Sequence, residues 1–204
     1  MNKRLLTFYA VIAASIIGLT FFVQMHSISA FDLYMTKEIQ ALKARDLTIL
    51  MEFISIFGNP GVAPLSILIT ALIFFRTRYQ REGWFTLSVA IPDLFNILIK
   101  IAVHRPRPTL ADAKVLLKFT QSGFPSGHVV HYVVFFGFLL VAMFANKNIY
   151  SSWRIFIGIF SAFLILTVSI SRIYLGAHWA TDVLGGYLFG FIYLGIILKF
   201  YLHR

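Results

Sequence analysis

The sequence predicts an all-α, polytopic membrane protein: one domain over residues 1–204, a bundle of six transmembrane helices with its chemistry-bearing residues at the outer face. Three observations carry that prediction. Hydrophobic residues make up 59% of the chain and charged residues 13%, roughly half the charged share of an ordinary soluble domain. The apolar residues are gathered into six runs, each near the roughly 20 residues a helix needs to cross the hydrocarbon core. The ionisable residues at the ends of those runs fall into three clusters, which alternating helix direction brings to one side of the membrane.

The first run, Leu5–Met25, follows Asn2-Lys3-Arg4 and precedes Ser29-Ala30, the outline of a secretory signal. Its apolar stretch exceeds the roughly 7–15 residues of a signal core, so a retained helix is expected. Between Phe31 and Leu50, Phe31, Met35, Ile39 and Leu42 share one helical stripe, with Lys37, Glu38 and Lys43 off it. Such a helix lies flat in the membrane interface or caps the bundle. The second run, Phe53–Phe75, is interrupted at Gly58-Asn59-Pro60-Gly61, where proline removes a backbone donor and a kink without chemistry is expected.

The third run, Trp84–Val103, carries Asp93 in mid-span after Pro92, on one face with Asn96 and Lys100. Asp93 reads either as the start of a polar chain to Lys100 or as a structural hydrogen bond to a neighbouring helix. The fourth and fifth runs, Val129–Ala145 and Ile155–Ser171, are short and borrow length from the interface. The sixth is Trp179–Leu198. Trp84 and Trp179, at span ends, read as interfacial belt residues.

Net charge is +10 and cysteine is absent, which removes disulfides, zinc–thiolate sites and cysteine nucleophiles. The 22 phenylalanines lie mostly inside the apolar runs, so the basic charge does not read as a nucleic-acid surface. Cations flank membrane helices on the cytoplasmic side. With the N-terminus inside, the inner segments hold Lys3, Arg4, Arg76, Arg78, Arg81, Lys147, Arg154, Lys199 and Arg204. The outer ones hold Lys37, Lys43, Arg45, Lys100, Arg105, Arg107, Lys114, Lys118 and Arg172. The counts are equal, but the inner loops are shorter and more densely charged, so the N-terminus is expected inside.

Ionisable residues at membrane depth are costly and mark function by default. Lys100 and His104-Arg105-Pro106-Arg107-Pro108 close the third span. Pro125-Ser126-Gly127-His128 opens the fourth; Ser171-Arg172 closes the fifth; His178 and Asp182 open the sixth. Lys100, Arg107 and Arg172 supply the fixed charge and donors that phosphoryl oxygens want. Ser126 adds a hydroxyl, and Gly127 at a helix start adds unpaired N–H groups. His178 and Asp182, four apart, share a helix face, so the carboxylate orients one imidazole nitrogen and leaves the other to attack. His128, from a different helix, serves the leaving oxygen and then water. Asp93 and His131 are candidates to stand behind these groups, although a packed or interfacial histidine is the plainer reading of His131. Arg105 is close to the phosphate ligands in sequence, although a contact to lipid headgroups is the plainer reading.

These residues resemble the signature of the type-2 phosphatidic acid phosphatase superfamily, K-x6-R-P, P-S-G-H and S-R-x5-H-x3-D. All eleven fixed positions are present in order, from Lys100 to Asp182. The resemblance implies a metal-independent phosphatase without a cofactor, in which His178 becomes a phosphohistidine, Asp182 orients it and His128 handles the leaving group. It implies that Lys100, Arg107, Ser126, Gly127 and Arg172 hold the phosphate. The expected partner is a lipid phosphate drawn from the bilayer, with phosphatidylglycerophosphate and undecaprenyl pyrophosphate the leading candidates. The expected location is the plasma membrane, with the site extracytoplasmic. A lipid phosphotransferase of the same superfamily and a non-catalytic lipid phosphate carrier are the alternatives; the sequence names no protein partner.

Overall fold

The structure is a computed structural model, and it describes residues 3–42, 44–116 and 121–203. Lys43, Lys118 and Arg204, counted above among the flanking cations, lie outside these residues. The described residues form helices and loops without strands: α1 (Lys3–Met25), α2 (Ala30–Ala41), α3 (Arg45–Ser55), α4 (Val62–Arg76), α5 (Gln80–Ser88), α6 (Ala90–Val103), α7 (Gly127–His131), α8 (Gly137–Ala145), α9 (Ser151–Tyr174) and α10 (Ala180–Leu202).

Among the described residues, four spans are long and apolar enough to cross a membrane: Gln80–Val103, Gly127–Ala145, α9 and α10. Two further pairs qualify only as bent units. The chain turns by 90° between α1 and α2, and by 63° between Arg45–Gly58 and α4. The described residues thus supply four candidate spans, or up to six if each bent pair counts as one.

Local sequence explains the breaks. Ser29 caps α2, its hydroxyl accepting from Asp32 N while the Asp32 carboxylate receives the Ser29 N–H, a reciprocal pair that ends α1 and starts a new helix. The segment expected as one helix over Phe31–Leu50 divides at Leu42 into α2 and α3. Met35 and Ile39 pack against the core, and the Gln40 amide donates to Lys114 O and Tyr174 O. The segment is thus a cap on the bundle. Val89 divides the third span into α5 and α6. Pro92, in the first turn of α6, has no N–H to give back to the preceding turn.

The span Gly127–Ala145 is the central one. Its most apolar window is 72% buried, against 28% for the other three long spans. A π-helical turn at Tyr132–Phe136 separates α7 from α8, and the Tyr132 hydroxyl donates to Ile54 O across to α3. α10 lies close against this span because Gly186 and Gly190 face it. A Cβ on Gly186 would fall 2.8 Å from Val129 Cβ, and one on Gly190 2.7 Å from Val133 Cβ. Small residues at such crossings let helix backbones approach. Apolar side chains on the outside, such as Leu94, Leu98 and Leu166, remain exposed, as helices surrounded by lipid require.

Candidate active site

The C-terminal ends of α6 and α9 and the N-terminal ends of α7 and α10 meet at one end of the bundle, with residues 104–116, residues 121–126 and α2 packed around them. His178 reaches this site through a tight turn. Gly176, at φ +66, takes the left-handed conformation that ends α9, and a Cβ there would collide with Lys114 O. The turn folds back so that the N–H groups of Ala177 and His178 both donate to Arg172 O. The nucleophile candidate and a candidate phosphate ligand are thereby fixed to one another through the backbone.

His178 Nδ1 lies 3.3 Å from Asp182 Oδ2, and its Nε2 lies 3.2 Å from Arg107 Nη1. A guanidinium has only donors, so Nε2 is the accepting nitrogen and the proton sits on Nδ1, facing the carboxylate. Burial, reinforced by Arg107, Lys100, Arg172 and His128, holds the His178 imidazole well below its ordinary pKa, hence neutral at pH 7. Burial also lowers Arg107 to about 10, with Asp182 opposing it, so Arg107 stays charged.

Arg107 is held by Ala177 O (2.8 Å) and Gln121 O (2.7 Å). Lys100 Nζ donates to Ser122 O (2.6 Å) and Gly123 O (3.3 Å). Arg172 Nη1 donates to Ser55 Oγ (2.9 Å), while Ser171 Oγ donates to Met51 O, so α3 seats the end of α9. Gly127 opens α7 as expected. Ser126 Oγ is buried without a hydrogen-bond partner among the described residues, the state of a hydroxyl waiting for an acceptor. Among the described residues no three His, Asp or Glu side chains cluster as metal ligands; Lys100, Arg107 and Arg172 bring positive charge close to His178. Beside them a cleft of about 510 Å³ joins the apolar Ile97 and Ile101 to Lys100, His104, Arg107 and Gln121.

Three expectations change, and of the two readings of Asp93 the structure keeps the hydrogen bond to a neighbouring helix. The break at Gly58-Asn59-Pro60-Gly61 belongs to the site: Asn59 Oδ1 lies 3.4 Å from His128 Nε2, and any Cβ on Gly58 would collide with the His128 ring. Arg105 meets no headgroup. It is buried between two carboxylates, at 2.7 Å from Asp32 and 2.5 Å from Asp182. Trp179 is fully buried, its indole N–H on Pro106 O at 3.1 Å, whereas Trp84 is 66% exposed. Asp93 pairs with His131, at 2.9 Å to Nδ1, instead of leading to Lys100. His131 stacks on Phe135, so this pair ties α6 to the central span one turn below His128.

The comparisons with known proteins follow the same lines. Residues 81–204 match the family described as the PAP2 superfamily. A Bacillus subtilis protein named phosphatidylglycerophosphatase B is 30% identical over 138 residues, 67% of this chain and 66% of its own length, just under two thirds. A Sulfolobus acidocaldarius protein named undecaprenyl-diphosphatase is 30% identical over 164 residues, 78% of this chain and 73% of that one. The crystal structure of a transmembrane PAP2 type phosphatidylglycerolphosphate phosphatase from Bacillus subtilis superposes with a TM-score of 0.80, at 23% identity over 94% of each chain. That of Aquifex aeolicus LpxE gives 0.64, at 21% identity over 85% of this chain and 98% of that one; both show the fold. The two sequence relatives and the Bacillus subtilis structure are named as phosphatases or diphosphatases of lipids, and in this chain the signature residues lie at one end of an apolar helical bundle. With more than half its length matched, this chain, a multi-pass membrane protein, belongs to the PAP2 superfamily.

Proposed function

We propose that this protein hydrolyses a lipid phosphate or diphosphate at the outer face of the plasma membrane, within a six-span, single-domain bundle, through a phosphohistidine on His178. The observation that carries the reading is the setting of His178: Nδ1 against Asp182, and Nε2 turned to Arg107 among three cations. In the first step His178 Nε2 attacks phosphorus and the bond to the lipid oxygen breaks. Protonated His128 gives its proton to that leaving oxygen. In the second, His128 takes a proton from water as the water oxygen attacks phosphorus, and the N–P bond breaks. Asp182 holds the Nδ1 proton throughout and stabilises the positive ring formed when Nε2 is phosphorylated. Lys100, Arg107, Arg172, Ser126 Oγ and the N–H groups opening α7 hold the phosphoryl oxygens and the charge they gather.

The cleft beside Lys100 suits a substrate that stays in the bilayer. Its Ile97 and Ile101 belong to a face of α6 that reaches lipid, while Lys100 and Arg107 wait at its polar end. The substrates named for the relatives, phosphatidylglycerophosphate and undecaprenyl diphosphate, have this form. The test is phosphate release by the purified protein and its His178→Ala variant, with a chelator present. Undecaprenyl diphosphate, phosphatidylglycerophosphate and phosphatidic acid would each be supplied in mixed micelles. Release by the wild type alone supports the reading and ranks the lipids. No release, or equal release by both proteins, overturns it in favour of a transferase or a carrier.

A further inference from the structure

Arg105 stands outside the signature, yet all three nitrogens of its guanidinium are engaged. Nη1 donates to Asp182 Oδ1 (2.5 Å) and Thr181 Oγ1 (2.6 Å), Nη2 to Asp32 Oδ2 (2.7 Å), and Nε to Ser27 O (2.9 Å). The three charged side chains are 0% exposed. Asp32 in turn receives the Thr181 N–H (2.9 Å) and hydroxyl (2.8 Å) and the Ser29 hydroxyl (2.8 Å). The other oxygen of Asp182 takes the Trp179 N–H (3.0 Å) and faces His178 Nδ1 (3.3 Å). One chain of contacts thus runs from the cap helix α2 through Arg105 and Asp182 to the nucleophile.

A carboxylate sealed from water stays ionised only beside a cation, and Arg107 meets the other nitrogen of His178. Arg105 is the cation bonded to Asp182. Being shared with a second carboxylate, it cannot cancel the Asp182 charge: two anions and one cation leave one net negative charge, directed at the Nδ1 proton. We propose that Arg105, seated by Asp32, is a positioning residue for the reaction, aiming the Asp182 carboxylate at His178 and keeping it anionic. Asp32 lies outside residues 81–204, which match the family, so the cap helix becomes part of the catalytic apparatus and more than a cover. This inference rests on the phosphohistidine reading above.

Steady-state kinetics of the full chain in mixed micelles test it, with Arg105→Met, Arg105→Lys, Asp32→Asn and His178→Ala. Because the Arg105 guanidinium is taken up by Asp182, Thr181, Asp32 and Ser27, Arg105→Met lowers kcat about 100-fold, as misaimed catalytic groups do, and leaves KM within about threefold. Arg105→Lys keeps the charge and recovers to within about tenfold of wild type, and Asp32→Asn falls between the two. The pH profile separates positioning from mere support. His178 is faced by Asp182 and by the cations Arg107, Lys100 and Arg172, with His128 beyond. Without its cation the buried Asp182 gives up its charge to a proton, and the carboxylate the reaction needs is lost at higher pH, so the acid limb moves up in Arg105→Met and stays put in Arg105→Lys.

Wild-type kcat in Arg105→Met overturns the inference, as does a rise in KM alone. Equal losses in the Met and Lys variants without a pH shift also overturn it. Should Arg105→Met fail to fold, Asp32→Asn decides, and an unchanged kcat and profile there refutes it. An active His178→Ala protein would sink the phosphohistidine reading itself. An inactive His178→Ala beside a fully active Arg105→Met sinks only this inference.

Discussion

Nη1 of Arg107 lies 3.2 Å from Nε2 of His178, the nitrogen that attacks phosphorus in the proposed reaction. In that reaction the same guanidinium meets the imidazole before substrate arrives and turns to the phosphoryl oxygens afterwards. This contact also favours the neutral ring. A base whose pKa is lowered in the fold keeps its active, unprotonated form down to that lowered value, so the acid limb of kcat/KM lies well below pH 6.5, the ordinary histidine value. Replacing Arg107 with Ala removes one of the neighbouring cations, and the acid limb moves up toward that value while KM rises. Profiles corrected for the substrate's own phosphate ionisation check this; a limb that stays in place contradicts it.

The break in the second span carries a separate consequence. Gly58 touches the His128 ring so closely that no Cβ fits, and the obstacle is the ring itself. Gly58→Ala therefore displaces the leaving-group histidine, and a misplacement on the order of 1 Å costs about 100-fold in kcat. Gly61, with nothing near its Cβ position, supplies the control: Gly61→Ala keeps kcat within about threefold.

Burial of Trp179 is structural, and its loss reads out as stability. Trp179→Ala empties a fully buried site and costs about 3–5 kcal/mol. Trp179→Phe chiefly forfeits the bond to Pro106 O, about 1 kcal/mol. Thermal unfolding in detergent checks the order, with the Ala variant melting well below the Phe variant and the Phe variant just below wild type. Equal melting temperatures for all three contradict it.

What was legible in the sequence follows from the range of the forces involved. Apolar runs, the Gly127 helix start and the four-residue spacing of His178 and Asp182 are local, and membrane alternation alone predicted that the clusters converge. Arg105 and Asp32 were not legible as a pair. A basic residue at a helix end has the same outline whether it meets headgroups or a carboxylate, and the partner here lies 73 positions away. The Ser29–Asp32 spacing did carry a helix-start signal, which marks the 90° turn although not its purpose. Asn59 was hidden for a related reason. Glycine and proline explain a kink by themselves, so nothing local pointed from that break to His128, 69 residues on. Trp179 shows the same ambiguity, since a tryptophan at a span end belongs to the interface only when no loop, here Pro106, folds over it.

The central claim is a covalent phosphoryl intermediate on His178. Its most direct test is rapid alkaline quenching of the protein during turnover of a lipid radiolabelled in its phosphate, followed by peptide mapping. The account predicts label on the peptide carrying His178 in wild type, and none in His178→Ala. Turnover with no label on that peptide, or label that persists after His178→Ala, would contradict it.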